Sequence, residues 1–357
     1  MRVKRYLDID VLSAAKQRIH HIMDVFDSVV VCFSGGKDSL VTLHLVKDVV
    51  EERGEPGPVN VVFRDEELIP DTVIDFVEEY RQQPWVNMVW FAVPLLSNKF
   101  ILGRSFEYVQ WDPRREHVRK VPPWAVVLEP GDTRVFDQYT MDALTASYFT
   151  GKVALITGIR ASESLIRFRA SVNKLNENYI NATEARHVSL CKPIYDWEEN
   201  DVLKFFLERD IRYCPIYRAQ HLAGTNLRVS TPLHSEAAKR IGQLRDVDPE
   251  FYNRVLKVFP EMAVQERYWS DLDRKALKDR YGQSLDGVRS YVLDVIDEEN
   301  QQRKAIAMLD GIVVRERNSP GSYPPDYVLA YFMAGSFKRV LIPKGRKKVT
   351  GGQSISR

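Results

Sequence analysis

The sequence predicts an α/β protein, a doubly wound and mainly parallel sheet followed by a helical C-terminal region. Three observations carry this. Between residues 28 and 194, short β-branched apolar runs alternate with helix-length amphipathic stretches, the pattern of a parallel sheet covered on both faces. The first of those runs passes straight into SGGKDS, a glycine-rich turn at the start of a helix. From residue 198 onward only helical periodicity remains.

Taken in order, residues 9–25 read as an amphipathic helix. A strand follows at 28–33 (SVVVCF), then a helix at 37–53, and Gly54, Pro56, Gly57 and Pro58 end that crossover. A strand at 59–64 (VNVVFR), a helix at 71–82 set off by Pro70, and a strand near 87–93 (NMVWFAV) continue the alternation. Residues 95–140 then break it: they are rich in Trp, Tyr, Phe, Arg and Pro and show no clear period. A stretch of that length inside a folded domain is commonly functional. Strands at 153–158 (VALITG) and near 188–194 (VSLCKPI) complete the sheet, and helices are expected at 198–209, 234–243, 248–258, 261–281, 286–306 and 325–336. The expected organisation is an N-terminal helix within 1–27, an α/β domain over 28–215 with 95–140 as an insertion, a helical region over 216–337, and a basic flexible tail over 338–357.

The composition narrows the class. Of 357 residues, 44% are hydrophobic and 28% charged, as in ordinary globular proteins. No apolar run reaches the length of a membrane span, and the basic N-terminus lacks the apolar core of a signal peptide, so a cytoplasmic protein without membrane association is expected. The three cysteines, Cys32, Cys191 and Cys214, form no CxxC, which argues against a disulfide scaffold, an iron–sulfur cluster or a zinc site built by this chain. The seven Lys/Arg of residues 338–357 exceed the net charge of +2, leaving −5 on the rest of the chain. Attraction to polyanions is therefore local, and the tail is the place where nucleic acid would be held.

In SGGKDS, Gly35 and Gly36 let the backbone turn sharply and approach a ligand. Ser34, Lys37 and Ser39 supply donors, Asp38 a carboxylate, and the helix that begins there aims its positive end at the loop. The pattern is an anion cradle at the carboxyl end of a strand, and GxxxxGK[ST] is absent. The next strand ends in the acidic run Asp65, Glu66 and Glu67, on the same sheet edge, where a carboxylate can accept from a ribose or help hold Mg2+. The fourth strand ends in TGIRASESLIRFR: Gly158 closes it, Arg160 is placed to grip phosphate, and Glu163 and Arg167 stand at i,i+4. In KPIYDWEENDV, Asp196 with Glu199 reads as a helix cap. Within 95–140, Trp111, Arg114, Arg115, Arg119 and Trp124 combine stacking surface with positive charge, so Trp111, Arg115 and Arg119 are candidates for holding an acceptor.

SGGKDS after an apolar strand resembles the PP-loop of the N-type ATP pyrophosphatases. With the acidic second strand end, TGIRxxES and KPIxDW…DV…YCPIY, the chain resembles the phosphoadenylyl-sulfate (PAPS) reductase family over roughly residues 28–220. AGTNLRVSTPLHSEAAKR extends the likeness to PAPS-reductase-like proteins of phages and bacteria, some encoded beside a ParB-like partner. The resemblance implies an adenine nucleotide α-hydrolase-like, Rossmann-like fold that binds ATP or a PAPS-like nucleotide with Mg2+. Nucleotide contacts are expected from Ser34, Gly35, Gly36, Lys37, Ser39, Asp65, Glu66, Gly158, Arg160 and Arg167. Catalytic roles fall to Lys37, Asp38 and Arg160, and metal contacts to Asp38 and Asp65. The implied reaction cleaves the α–β phosphate bond, releasing pyrophosphate and adenylylating an acceptor, in nucleic-acid modification or sulfur transfer.

One departure matters. Reductases of the family use a cysteine in a C-terminal ECG(I/L)H-type motif, and here the last cysteine is Cys214. The expected activity is therefore nucleotide cleavage. The alternatives are a PAPS-dependent reductase using an external thiol, and a nucleotide-sensing adaptor that acts through a partner without turnover.

Overall fold

In a computed structural model, residues 7–164, 167–168, 178–224, 229–269, 274–296, 298–335 and 340–344 are described. The chain divides into two units: residues 1–97, 107–232 and 242–260 form the first, and 98–106, 233–241 and 261–357 the second. This differs from the boundary near residue 215 expected from sequence. The helix Pro249–Val258 packs with the α/β unit, and the tip of a hairpin far upstream belongs with the helical one.

The first unit opens with α1, Val11–Val25, whose start is fixed by Asp10 accepting from the Ser13 amide at 2.9 Å. Strand β1 (Ser28–Cys32) leads into α2 (Lys37–Arg53), β2 (Val59–Arg64), α3 (Asp71–Arg81) and β3 (Val86–Phe91). Next come β4 (Leu95–Ile101), β5 (Arg104–Gln110), α4 (Gln138–Ala146), β6 (Val153–Ile156), β7 (Ile180–Ala182) and β8 (Val188–Cys191). Helices α5 (Glu199–Arg209), α6 (Ile216–Leu222), α8 (Gly242–Val247) and α9 (Pro249–Val258) follow, while α7 (Ser235–Ala238), between α6 and α8 in the chain, belongs to the second unit.

The main sheet runs β3-β2-β1-β6-β8-β7. All its pairs are parallel except β7–β8, so the expected doubly wound, mainly parallel sheet is present. Because strand side chains alternate, the apolar runs feed two cores. On one face Val31, Phe33, Val61, Phe63 and Ile156 pack against Ile19 of α1, Leu40 of α2, Phe76 of α3 and Phe205 of α5. On the other, Val30, Val62, Phe91, Val153 and Leu155 pack with Met141 and Ala146 of α4. Successive crossovers run outward from β1 to β2 to β3, then the order reverses to β6 on the other side of β1. That reversal is where open α/β sheets leave a crevice at the strands' carboxyl ends.

Inside the stretch read as irregular, β4 and β5 form a separate two-stranded sheet. Its turn uses positive φ at Leu102 and Gly103, of 44° and 90°.

In the second unit, α10 (Glu261–Tyr268), α11 (Arg274–Tyr281), α12 (Leu285–Val295), α13 (Glu299–Asn318) and α14 (Pro325–Met333) are the main helices. Val288, Val292, Leu309, Ile312, Val328, Leu329 and Phe332 form its core. The single helices expected over 234–243, 261–281 and 286–306 are each divided in two. Among the described residues no helix is long and apolar enough to cross a membrane. Of the basic tail, only residues 340–344 are described.

Candidate functional site

The loop between β1 and α2 lies beside the reversal in strand order. Gly35 takes φ of 73°, and a Cβ there would stand 2.8 Å from Val73 Cγ1 of α3, so conformation and space both demand glycine. Gly36 is the N-cap of α2 and offers no side-chain cap. Ser34 and Ser39 tie the loop's ends together, with their hydroxyl oxygens 3.0 Å apart and the Ser34 amide donating to Ser39 Oγ at 3.1 Å.

Two buried cations meet over this turn. Arg160, which follows β6, is 4% exposed and donates from Nε to Asp38 Oδ1 at 2.7 Å. Lys37, 8% exposed, reaches Asp38 Oδ2 at 3.2 Å and Glu199 at 3.6 Å. Asp38 thus holds both cations at the mouth of α2, where the helix dipole adds further positive potential. Gly158, expected at the ligand, also meets a steric demand. A Cβ there would lie 2.5 Å from the Asp38 carbonyl carbon and 2.6 Å from the Ser39 amide nitrogen, so glycine lets the β6 loop press onto the first turn of α2.

A residue to which sequence reasoning gave no role completes the group. Tyr217 on α6 accepts a 2.9 Å hydrogen bond from the Lys37 amide, and Lys37 Nζ lies 5.9 Å from the centre of its ring. Its position 180 residues away leaves no local signal, although it stands in the CPIY stretch that contributes to the family likeness. Glu199 joins the same group through Lys37.

The acidic end of β2 divides three ways. Asp65 is 2% exposed: Oδ2 accepts from the Trp90 indole at 2.9 Å, and Oδ1 accepts from the Glu67 amide at 2.9 Å and from Arg119. Glu67 is wholly buried and sits at φ of 61°. Its Oε1 takes bonds from Arg115 Nη1 at 2.7 Å and the Val118 amide at 2.9 Å, and its Oε2 from Arg115 Nη2 and the Trp111 amide, each at 2.6 Å. Glu66 alone keeps a carboxylate without a hydrogen-bond partner among the described residues. Half-buried, it is pushed up to about 7 by burial and then by the neighbouring Asp65 charge.

This network corrects two expectations. Trp111 is 3% exposed, its indole donates to the Asp65 carbonyl at 2.8 Å, and the Arg119 guanidinium lies over its ring. Trp111, Arg115 and Arg119 therefore latch the insertion onto the end of β2, and their polar groups are engaged there instead of facing an acceptor. Asp65 and Asp38, the expected magnesium pair, each have both oxygens facing protein donors, an arrangement that does not fit a resident cation. Among the described residues no cluster of three or more His, Cys, Asp or Glu forms a metal site.

Other expectations also change. Arg167 is exposed and pairs with Glu163, and Arg169 lies outside the described residues. Asp196 takes a bidentate pair of 2.7 Å bonds from Arg18, while Glu198 with Asp201 forms the box at the start of α5. Cys191 and Cys214 are fully buried, and burial pushes the Cys214 and Cys32 thiols up to about 11.

A family model described as the phosphoadenosine phosphosulfate reductase domain matches residues 28–255. The chain is 28% identical over 266 residues to the uncharacterised Escherichia coli protein YbdN, covering 68% of this chain and 64% of that one. It therefore spans less than two thirds of that relative's length. Among solved structures, Candida glabrata FMN adenylyltransferase with FMN and the ATP analogue AMPCPP is similar at 15% identity and TM-score 0.41, over 61% of each chain. PAPS reductase from Candida auris, in a phosphate complex, is similar at 13% identity and TM-score 0.33, over 61% of this chain and 90% of that one.

Proposed function

The chain belongs to the phosphoadenosine phosphosulfate reductase family, and from that premise we propose that it binds ATP or a related adenine nucleotide at the loop after β1 and cleaves it between the α- and β-phosphates. The observation that carries this reading is the convergence of Lys37 and Arg160, both buried, on Asp38 at the mouth of α2 and at the reversal in strand order.

Phosphate groups entering the mouth of α2 compete with Asp38 for the two cations and find free amides in the helix's first turn. An acceptor oxygen attacks the α-phosphorus, the bond from that phosphorus to the bridging oxygen breaks, and pyrophosphate leaves with the electron pair while the acceptor's proton passes to solvent. Lys37 and Arg160 neutralise the charge that grows on the leaving group, the main requirement of such a transfer. Glu66, the unpartnered carboxylate at the neighbouring strand end, is the group offered to the ribose or base.

The buried cysteines support nucleotide cleavage over a reductase that uses its own thiol. Incubation with ATP labelled on the α- or γ-phosphate tests the reading: AMP or an adenylylated acceptor together with pyrophosphate supports it. ADP with phosphate refutes it, and binding without turnover would favour the nucleotide-sensing alternative.

A further inference from the structure

Tyr217 is 5% exposed, and the only hydrogen bond of its hydroxyl among the described residues is the one it accepts from the Lys37 amide. Among the described residues the phenol proton is therefore a buried donor with no acceptor, placed where the first amide of α2 would otherwise meet a ligand. Burial pushes the phenol's pKa up, so it stays neutral and protonated across the physiological range. Accepting from an amide at the positive end of a helix also polarises the hydroxyl and makes it a stronger donor.

Its surroundings are built for an anion. Lys37 Nζ lies 5.9 Å from the ring centre, and the Cβ that Gly36 lacks would stand 3.4 Å from the phenol oxygen. Buried hydroxyls normally find partners for both their donor and acceptor roles, and among the described residues this one has found a partner only as an acceptor.

We propose that the Tyr217 hydroxyl is a phosphate-contacting donor, relaying the Lys37 amide to a non-bridging oxygen of the bound nucleotide or pyrophosphate. The inference rests on the nucleotide reading above and adds a residue to it. It also assigns a purpose to an amide that otherwise looks blocked: the hydroxyl extends the helix terminus by one donor.

The test is titration calorimetry of the full chain with pyrophosphate and with ATP, comparing wild type and Tyr217→Phe. Phenylalanine keeps the ring and its packing and removes only the hydroxyl, and a thermal melt checks that the variant is folded. Loss of one hydrogen bond to a charged group should weaken pyrophosphate binding about 10- to 100-fold. The weakening should be equal at pH 6 and pH 9, because the lost donor is neutral at both. If Tyr217 only caps the helix, the variant melts lower while affinity stays the same or rises, since the Lys37 amide is then free; that result overturns the inference and leaves the nucleotide reading intact. If wild-type protein binds neither pyrophosphate nor ATP, the nucleotide reading fails and the inference falls with it.

Discussion

Replacing Glu67 with glutamine tests how the insertion is held. Each carboxylate oxygen receives two donors: Arg115 Nη1 and the Val118 amide on Oε1, Arg115 Nη2 and the Trp111 amide on Oε2. In Glu67→Gln one oxygen becomes an NH2 group, which faces two donors whichever way the amide is turned. Two of the four bonds are lost and the Arg115 charge loses its counter-ion in a buried setting. Breaking a buried pair in this way costs about 3–5 kcal/mol. The network also holds Glu67 and Trp111 at φ of 61° and 51°, which non-glycine residues leave readily once released.

The readout is hydrogen exchange of peptides covering residues 108–119, where the Trp111 and Val118 amides report local opening. At about 3 kcal/mol those amides should exchange about 100-fold faster. The double variant Glu67→Gln, Arg115→Met, which removes the stranded charge, should exchange more slowly than Glu67→Gln alone. Exchange within threefold of wild type in Glu67→Gln would refute the latch.

Three further outcomes are expected. Gly158→Ala forces a Cβ into the Asp38 and Ser39 backbone, so it should lower stability by about 1–3 kcal/mol by urea denaturation and weaken ATP binding by displacing the loop. Glu66 keeps its proton to higher pH in the folded chain than in the unfolded one, so its contribution is undiminished below pH about 4.5 and is lost as the pH rises toward about 7. Glu66→Gln should therefore raise the melting temperature at pH 8 more than at pH 4, and an equal change at both would sink the assignment. Native protein at pH 8 should resist a thiol reagent at Cys191 and Cys214, whereas urea-unfolded protein should react; rapid native labelling of Cys214 would return a thiol mechanism to consideration.

What could be read from the sequence was local. VVVCF, VNVVFR and VALI declare themselves because a buried parallel strand needs no polar face, and SGGKDS because a tight turn needs its glycines where they stand. The helical half was read too coarsely. Amphipathic spacing runs on past Ile296, which ends α12, into α13, and a period by itself does not mark the break. The β4–β5 hairpin went unread because its turn places Leu102 at positive φ, a residue that gives no turn signal. Long-range pairings were out of reach altogether. Nothing local says that Arg18 will take Asp196 away from its capping position, that Arg115 will be locked onto Glu67, or that Tyr217 will stand over Lys37.

The separation of these groups along the chain has a consequence for how the protein is made. Asp38 waits for Arg160, 122 residues later, and the Lys37 amide waits for Tyr217, 180 residues later. At a synthesis rate of about 5–20 residues per second, roughly 10–35 s pass between making the loop and making its last partner. Until β6 is made, β1 pairs with β2 alone, which in turn pairs with β3, and its other edge stays open and apolar. On the proposed reading, the nucleotide site is complete only once Tyr217 is made, and before β6 pairs the open edge of β1 is a place where nascent chains can associate wrongly.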